Sequence, residues 1–275
     1  DKVWDHCHYT GKYRGAAHSK CNLVFQVQKY FPVFFHNLTG YDSHLFIKNL
    51  GVTESNIKSI PNNEEKYISF SKEIVVGKYI DKKDDKEKES KLEIRFLDSF
   101  KFMSTSLETL AANLPIESFK NLTAHYEGEK FELMSRKGFF PYDWFDYFEK
   151  LNATQLPPKE VFYSKLTDDD ISDDDCTHSH KFLDVFDMKT MRDYHDQYVK
   201  SDVLLLADVF ENFRDVYMKT NGLDPVWYYT LPGLALDAML KSTEAKLELL
   251  TDHDMHLMVE DQRRCLHDHY SLQQS

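Results

Sequence analysis

The 275-residue sequence has no apolar run that approaches the roughly 20 residues of a membrane helix. The longest, VLLLADVF at 203–210, is far shorter, and the opening DKVWDHCH is not the charged-then-apolar segment of a secretory signal. No membrane partner is expected. Cysteine is scarce: Cys7, Cys21, Cys176 and Cys265 are too few and too scattered for a disulfide framework, so a reducing, intracellular setting is expected. Positive charge is in deficit as well. The chain has 34 Lys and Arg against 46 Asp and Glu, a net −12, which argues against nucleic-acid binding over its whole surface. The deficit is uneven, however. Residues 1–50 hold six basic residues and three Asp, a local +3 that leaves −15 for the remainder. A groove that grips one strand is compatible with an acidic exterior.

What is present suffices for a packed core: 41% hydrophobic and 14% aromatic residues, in one large domain or two small ones. FPVFF (31–35) reads as a strand, with Pro32 near its start where a missing N–H is tolerated. SHLFIKNL (43–50) reads as a helix stopped by Gly51. KYISFSKEIVVGKYI (66–80), rich in β-branched and aromatic residues, reads as a hairpin strand pair. DKKDDKEKES (81–90) has no apolar residue and reads as a solvated loop leading to the strand KLEIRFLDSF (91–100). Ser106 is positioned to cap a helix that runs to Leu114, ahead of Pro115. Residues 120–165 are dense in aromatics and poor in periodicity, so irregular structure packed on the core is expected there.

DDDISDDD (168–175) sets acids in the first turn of a helix, where they complement its dipole. From Met188 to about Lys219 the pattern is helical, with Val199, Val203, Leu206, Phe210, Phe213 and Tyr217 as the apolar stripe. Strands interleaved with helices, without an internal repeat, make the class α/β. Cys176, His178 and His180 at the acidic helix start are expected to be exposed, as are His253 and His256. Tyr228 and Tyr229 are rings able to stack on bases or to pack in a core, and core packing is the expectation.

The chemistry concentrates in two places. In HNLTGYDSHLF, Asn37 and Asp42 stand where the chain leaves a strand edge, a place better suited to holding something than to building a core. Tyr198 and Asp202 are four apart and share one helix face. Asp202 borders an apolar stripe, where a carboxylate is unwelcome unless paired or bound to metal. Metal-assisted phosphodiester cleavage needs such groups: carboxylates gather two Mg²⁺ about 4 Å apart, and a Tyr hydroxyl orients the attacking water. The plainer alternatives are that Asp42 caps the helix at 43 and that Asp202 faces solvent.

HNLTGYD resembles the second exonuclease motif of family B DNA polymerases, and Tyr198-Val199-Lys200-Ser201-Asp202 resembles the third, Tyr-x3-Asp. RFLDSFKFMSTSLETLA (95–111) is similar to the strand-to-helix element between those motifs in protein-primed polymerases. With FPVFFHNLTGYDSHLF, SDVLLLADVFENFRDV and LDPVWYYTLPGLALDAMLK, the likeness is to the polymerases of Maverick/Polinton-type mobile elements, over most of residues 1–260. It implies a ribonuclease H-like 3′–5′ exonuclease domain that hydrolyses 3′-terminal phosphodiesters of single-stranded DNA with two Mg²⁺ or Mn²⁺ ions. Asp42 and Asp202 would hold metal, Tyr198 would orient water, and Asn37, His36 and Tyr41 would contact the DNA. A terminal priming protein would be a partner of the parent polymerase, and the nucleus its location.

The sequence departs from that pattern. Residues 1–35 contain no Asp-x-Glu, the first exonuclease motif, and Arg263-Arg264-Cys265 stands where an Arg-Gly-Gly segment would continue toward the palm. The expectation is a fragment that does not polymerise, with a catalytically silent DNA-binding remnant as the alternative.

DHCHYTGKYRGAAHSKCN (5–22) resembles the core of recombination endonuclease VII and related His-Asn-His nucleases, built on a ββ-metal scaffold. By that likeness His18 and Cys21 are half of a structural Zn²⁺ site, which Cys7 and His8 would have to complete. In the nuclease reading His6 is the general base, and Asp5 and Asn22 hold a catalytic metal. The organisation implied is a partial Cys/His module over 1–28, an exonuclease domain over 29–220 and a linker over 221–275, unpatterned from about 261.

Overall fold

The computed structural model describes residues 2–6, 12–24, 30–50, 57–62, 67–81, 86–163, 170–248 and 250–259. Cys7, His8, Gly51, Asp168, Asp169, Glu260 and the segment from 261 onward lie outside them. The chain forms two compact units, Asp1–Leu234 and Ala235–Ser275. The first holds every candidate site residue named above. In the second, residues 253–259 are helical, with His253 and His256 exposed as expected.

The chain opens with strands β1 (Lys2–His6) and β2 (Tyr13–His18), paired antiparallel, followed by helix α1 (Ser19–Val24). The main sheet contains β3 (Tyr30–Phe35), β4 (Ile57–Pro61), β5 (Tyr67–Asp81) and β6 (Lys86–Asp98) in the order β3-β6-β5-β4. β3 runs parallel to β6; the other pairs are antiparallel. β3 is an edge strand, which accommodates Pro32 without losing a ladder bond. Helix α2 (Asp42–Leu50) covers one face, packing Phe46, Ile47 and Leu50 on Phe70 and Phe96, whose rings stack at 4.9 Å. On the other face Phe34 of β3 lies 4.0 Å, ring to ring, from Phe210 of the long helix α7 (Met191–Asn221). Helices on both faces of a mixed sheet make the architecture α/β.

Of the segment 66–80, the described residues 67–80 form not a hairpin but most of one 15-residue strand. It offers no two-residue turn. Its Gly77 instead marks a bulge, where the register passes from Val75 opposite Lys91 to Gly77 opposite Ser90. Residues 86–90, expected in a loop, belong to β6. Their ladder to the tip of β5 carries opposite charges across the strands, as where Lys78 meets Glu87.

Short helices α3 (Leu107–Ala112), α4 (Lys120–Thr123) and α5 (Gly128–Met134) follow, then three single 3₁₀ turns, so 120–165 is less irregular than expected. Ser106 caps α3 by accepting from the Thr109 N–H, as read from the sequence. Helix α6 (Asp173–Val185) begins at the Ser172 cap with Asp173, Asp174 and Asp175 in its first turn. His180 is exposed, but Cys176 and His178 are half-buried, because α6 packs against α5 and His178 Nε2 bonds the Leu133 carbonyl. Helix α8 (Leu231–Thr243) begins with Leu234 buried beside Phe210 and Phe102.

Helix α7 packs Leu206, Phe210, Phe213 and Tyr217 of its expected stripe on the core and departs from that stripe only in its first half. Val199 and Val203 are 43% and 60% exposed, whereas Tyr194, Tyr198, Ser201, Leu205, Asp208 and Val209 face inward. Steps of three and four fit two neighbouring faces equally well. The one that is buried carries polar groups whose partners come from elsewhere in the chain. Asp208 is fully buried and accepts from the Asn121 N–H (2.7 Å), the Asn121 amide (2.9 Å) and the Leu122 N–H (3.0 Å), which satisfies the start of α4.

Hydrogen bonds to a buried charge are costly to leave unmade, so Asp208→Ala is expected to lower stability by about 3 kcal/mol in urea unfolding. Lys120→Ala, which breaks the exposed pair with Asp215, should cost less than about 1 kcal/mol in the same measurement.

Candidate active site

The loop that follows β3 is shaped by two residues. Asn37 has φ +65°, a left-handed conformation that Asn tolerates better than most residues. Its side chain folds over Gly40 so closely that a Cβ at residue 40 would lie 2.5 Å from Asn37 Oδ1. The turn is closed by the Gly40 N–H donating to the Asn37 carbonyl (3.1 Å) and the Ser43 N–H to that of Leu38 (3.0 Å).

From the end of β6, Asp98 holds this loop in place. Its carboxylate is 1% exposed and accepts from the Asn37 N–H (2.9 Å), the Thr39 hydroxyl (2.8 Å) and N–H (3.3 Å), and the Phe100 N–H (3.0 Å). His36 lies alongside. Its Nε2 donates to the Thr105 carbonyl and its Nδ1 meets the Ser99 hydroxyl, both at 2.9 Å. Both ring nitrogens are therefore spent on holding the segment after β6. Tyr41 is 63% exposed. Asp42 is the first residue of α2, where a negative charge complements the helix dipole. Partial burial, then the like charge of Asp98, raises its carboxyl above the ordinary aspartate range.

A second cluster stands on α7. Lys137 Nζ donates to Asp202 Oδ2 (2.7 Å) and to the Tyr198 hydroxyl (3.0 Å). The Tyr142 and Tyr198 hydroxyls are 2.9 Å apart. Tyr198 is 5% exposed, with Phe140 packed on its ring. Burial first, then the Asp202 charge, pushes its hydroxyl far above the ordinary phenol range, so it remains a neutral hydrogen-bonding group. Asp202 Oδ1 is buried and has no hydrogen-bond partner among the described residues. The side chain is 25% exposed, with one oxygen paired to a cation and the other left over among those residues.

Asp202, Tyr198 and Lys137 are brought together, and so are Asn37, Asp42 and Asp98. Among the described residues, no group of three or more His, Cys, Asp or Glu is arranged to hold a metal ion. The donor chemistry nevertheless fits a hard divalent cation, which takes carboxylate oxygens. Asp202 offers an orphaned buried oxygen, and Asp42 a carboxylate under like-charge pressure.

The front hairpin fits its metals less well. The Asp5 carboxylate accepts from Arg14 at 2.8 Å, and that bond lowers its affinity for a proton. His6 is exposed, and Asn22 lies in α1. His18 ends β2 and Cys21 is exposed on α1, with no third ligand joining them among the described residues; Cys7 and His8, which would complete a tetrahedral Zn²⁺ site, lie outside those residues.

Three residues of the site escaped the sequence reading. Lys137 was one cation in a run of aromatics, Asp98 a carboxylate at a strand end, and Gly40 an ordinary turn glycine. A buried position flanked by Leu97 and Ser99 was the available signal for Asp98.

Two outcomes are expected. Gly40→Ala should displace the Asn37 side chain and lower the melting temperature in thermal scans. Asp42 binds its proton more tightly folded than unfolded, so its contribution to stability falls as pH rises above the ordinary value of 3.8. Asp42→Asn should therefore melt higher than the natural protein at pH 7, with the difference shrinking as pH falls toward that value, in thermal scans.

A family model for DNA polymerase type B, organellar and viral, matches residues 25–262. Neither the comparison with curated proteins nor that with solved structures gave a match. The matched region takes in the HNLTGYD loop, Lys137 and the Tyr198–Asp202 pair, and begins after α1. Covering well over half of the sequence, it shows that the chain belongs to the organellar and viral type B DNA polymerases.

Proposed function

We propose that this chain is the 3′–5′ exonuclease region of a protein-primed type B DNA polymerase, of the kind found in Maverick-type mobile elements, built on a ribonuclease H-like fold. Its substrate is the 3′ end of single-stranded DNA, in keeping with the DNA binding that the family implies. The observation that carries this reading is the state of Asp202: Oδ2 is neutralised by Lys137, Oδ1 is buried without a partner among the described residues, and the Tyr198 hydroxyl shares the same lysine.

Asp42 and Asp202 would hold Mg²⁺ or Mn²⁺. Such an ion, when bound, supplies charge stabilisation at the phosphoryl oxygens and lowers the pKa of a water. The residues of the chain do the rest. Tyr198, kept neutral by burial, offers a hydroxyl to orient water. Lys137 supplies a fixed positive charge where negative charge develops. Asn37, held over Gly40, and the exposed Tyr41 are placed to meet the frayed strand, while His36 keeps their loop in register.

Degradation of 5′-labelled single-stranded DNA with Mg²⁺ or Mn²⁺ tests the reading. Stepwise shortening from the 3′ end is expected, and Asp42→Ala and Asp202→Ala should each abolish it. Lys137→Met should slow it by roughly 10²-fold or more, the usual cost of removing one preorganised charge-stabilising donor. Mn²⁺ should also raise the melting temperature of the natural protein and of Tyr198→Phe, but not that of the Asp42→Ala, Asp202→Ala double variant. Folded protein that never shortens the strand would be a catalytically silent DNA-binding remnant instead.

A further inference from the structure

The face of the sheet that β3 turns toward α7 changes character from one half to the other. At β3 it is apolar, with Phe34 on Phe210. Across the remaining strands it is largely polar, apart from Leu97 opposite Phe34 and Ile60 opposite Ser69, which also lines a recess on this face. Pro32, Arg95, Ser71 and Lys58 form one cross-strand row. Ser69 and Glu93 lie two residues away along their strands, on the same face. Ser69 and Ser71 are buried, at positions where a covered sheet would carry Val or Ile. A buried polar side chain costs stability unless something bonds it; the Ser69 hydroxyl is held by the Phe96 carbonyl, to which it donates at 2.8 Å.

Above them is a cavity of about 280 Å³, lined by Lys58, Ser69, Ser71, Glu93, Arg95 and Tyr229. The Arg95 guanidinium lies 3.6 Å over the Tyr30 ring and 5.0 Å from that of Tyr229, and Glu93 accepts from it at 3.3 Å. Tyr228, by contrast, packs in the core with Phe102 and Phe210. The two tyrosines read together in the sequence thus have different surroundings.

The recess selects its ligand by charge, shape and size. Each of its cations already has a carboxylate, Arg95 with Glu93 and Lys58 with Glu73, so an anion gains little there. The hydroxyls, the guanidinium and the Glu93 carboxylate offer both donors and acceptors. Tyr229 adds an aromatic wall. The volume is at the small end of ligand sites, room for one planar ring system and not for a duplex. A nucleobase is a neutral planar group with donors and acceptors on its edge, and bases stack on aromatic walls whatever their sequence.

We infer that this recess holds one unpaired nucleobase of a single DNA strand, stacked on Tyr229 and hydrogen-bonded at its edge by Ser71, Arg95 and Glu93. Arg95 is three residues before Asp98 on β6, roughly 10 Å at strand rise, so one strand is long enough to reach from this recess to the loop at Asn37. The inference does not require hydrolysis at Asp202.

The test is photocrosslinking of the full chain, in EDTA, to an oligo-dT carrying a single 5-iododeoxyuridine, with crosslinked peptides mapped by mass spectrometry. A crosslink at Tyr229 is expected. Ser71→Leu, which fills the recess and leaves Asp42, Tyr198 and Asp202 in place, should reduce it at least tenfold at an unchanged melting temperature. Tyr229→Ala should weaken oligo-dT binding roughly 5- to 100-fold in anisotropy, and Tyr229→Phe should retain it. The inference is overturned if no crosslink falls at Tyr229. It is equally overturned if Tyr229→Ala binds oligo-dT like the natural protein, a measurement that stands even where Ser71→Leu fails to fold.

Discussion

A buried carboxylate at the end of β6 is the constraint on which the candidate site depends. Asp98 has almost no access to water, and its charge is balanced by three backbone N–H groups and one hydroxyl. Two of those N–H groups and the hydroxyl belong to the loop that leaves β3, the third to the turn that leaves β6. Because an unsatisfied buried charge is so costly, the carboxylate ties the ends of two parallel strands into one conformation. That conformation places Asn37 in a left-handed turn over Gly40 and starts α2 at Asp42. The same carboxylate then presses on Asp42 as a like charge. One group both builds the loop and adds to the effect of burial in raising the neighbouring aspartate's affinity for a proton.

Helix α7 organises the second cluster through polar groups turned inward. Tyr198 and Asp202 meet Lys137, and Asp208 satisfies the first N–H groups of α4. Two turns past Asp202, Phe210 packs on Phe34 of β3, so the helix that carries the Lys137 cluster is anchored on the strand that leads into the Asn37 loop. A cation held between a carboxylate and a phenol is a preorganised electrostatic element, costing no rearrangement when charge develops nearby.

The elements that were legible in the sequence share a local cause. Strand β3, helix α2, the Ser106 cap, the acidic first turn of α6 and the length of α7 all follow from spacing, caps and dipoles within a few residues of each other. The misread elements have non-local causes. Residues 86–90 are a strand because the tip of β5 stands opposite them, and nothing within that charged run says so. Residues 67–80 stay one strand because β4 and β6 flank them on either side. The Val199–Val203 face of α7 is as apolar as its buried neighbour, and only Met134, Phe140 and the start of α4 decide which face turns inward.

For the site, the identity of Asp42, Tyr198 and Asp202 as chemically suggestive groups was determined by the sequence alone, because a carboxylate at a strand exit and a Tyr–Asp pair one helical turn apart are statements about local spacing. Their partners were decided by tertiary structure. Lys137 lies 61 and 65 residues from the groups that it joins, and Asp98 reaches back 61 and 59 residues to Asn37 and Thr39. Hydrogen bonding and charge act over a few ångströms of space irrespective of separation along the chain. Composition and periodicity therefore could mark which side chains had something to bond, while only the folded chain brought each one its counterpart.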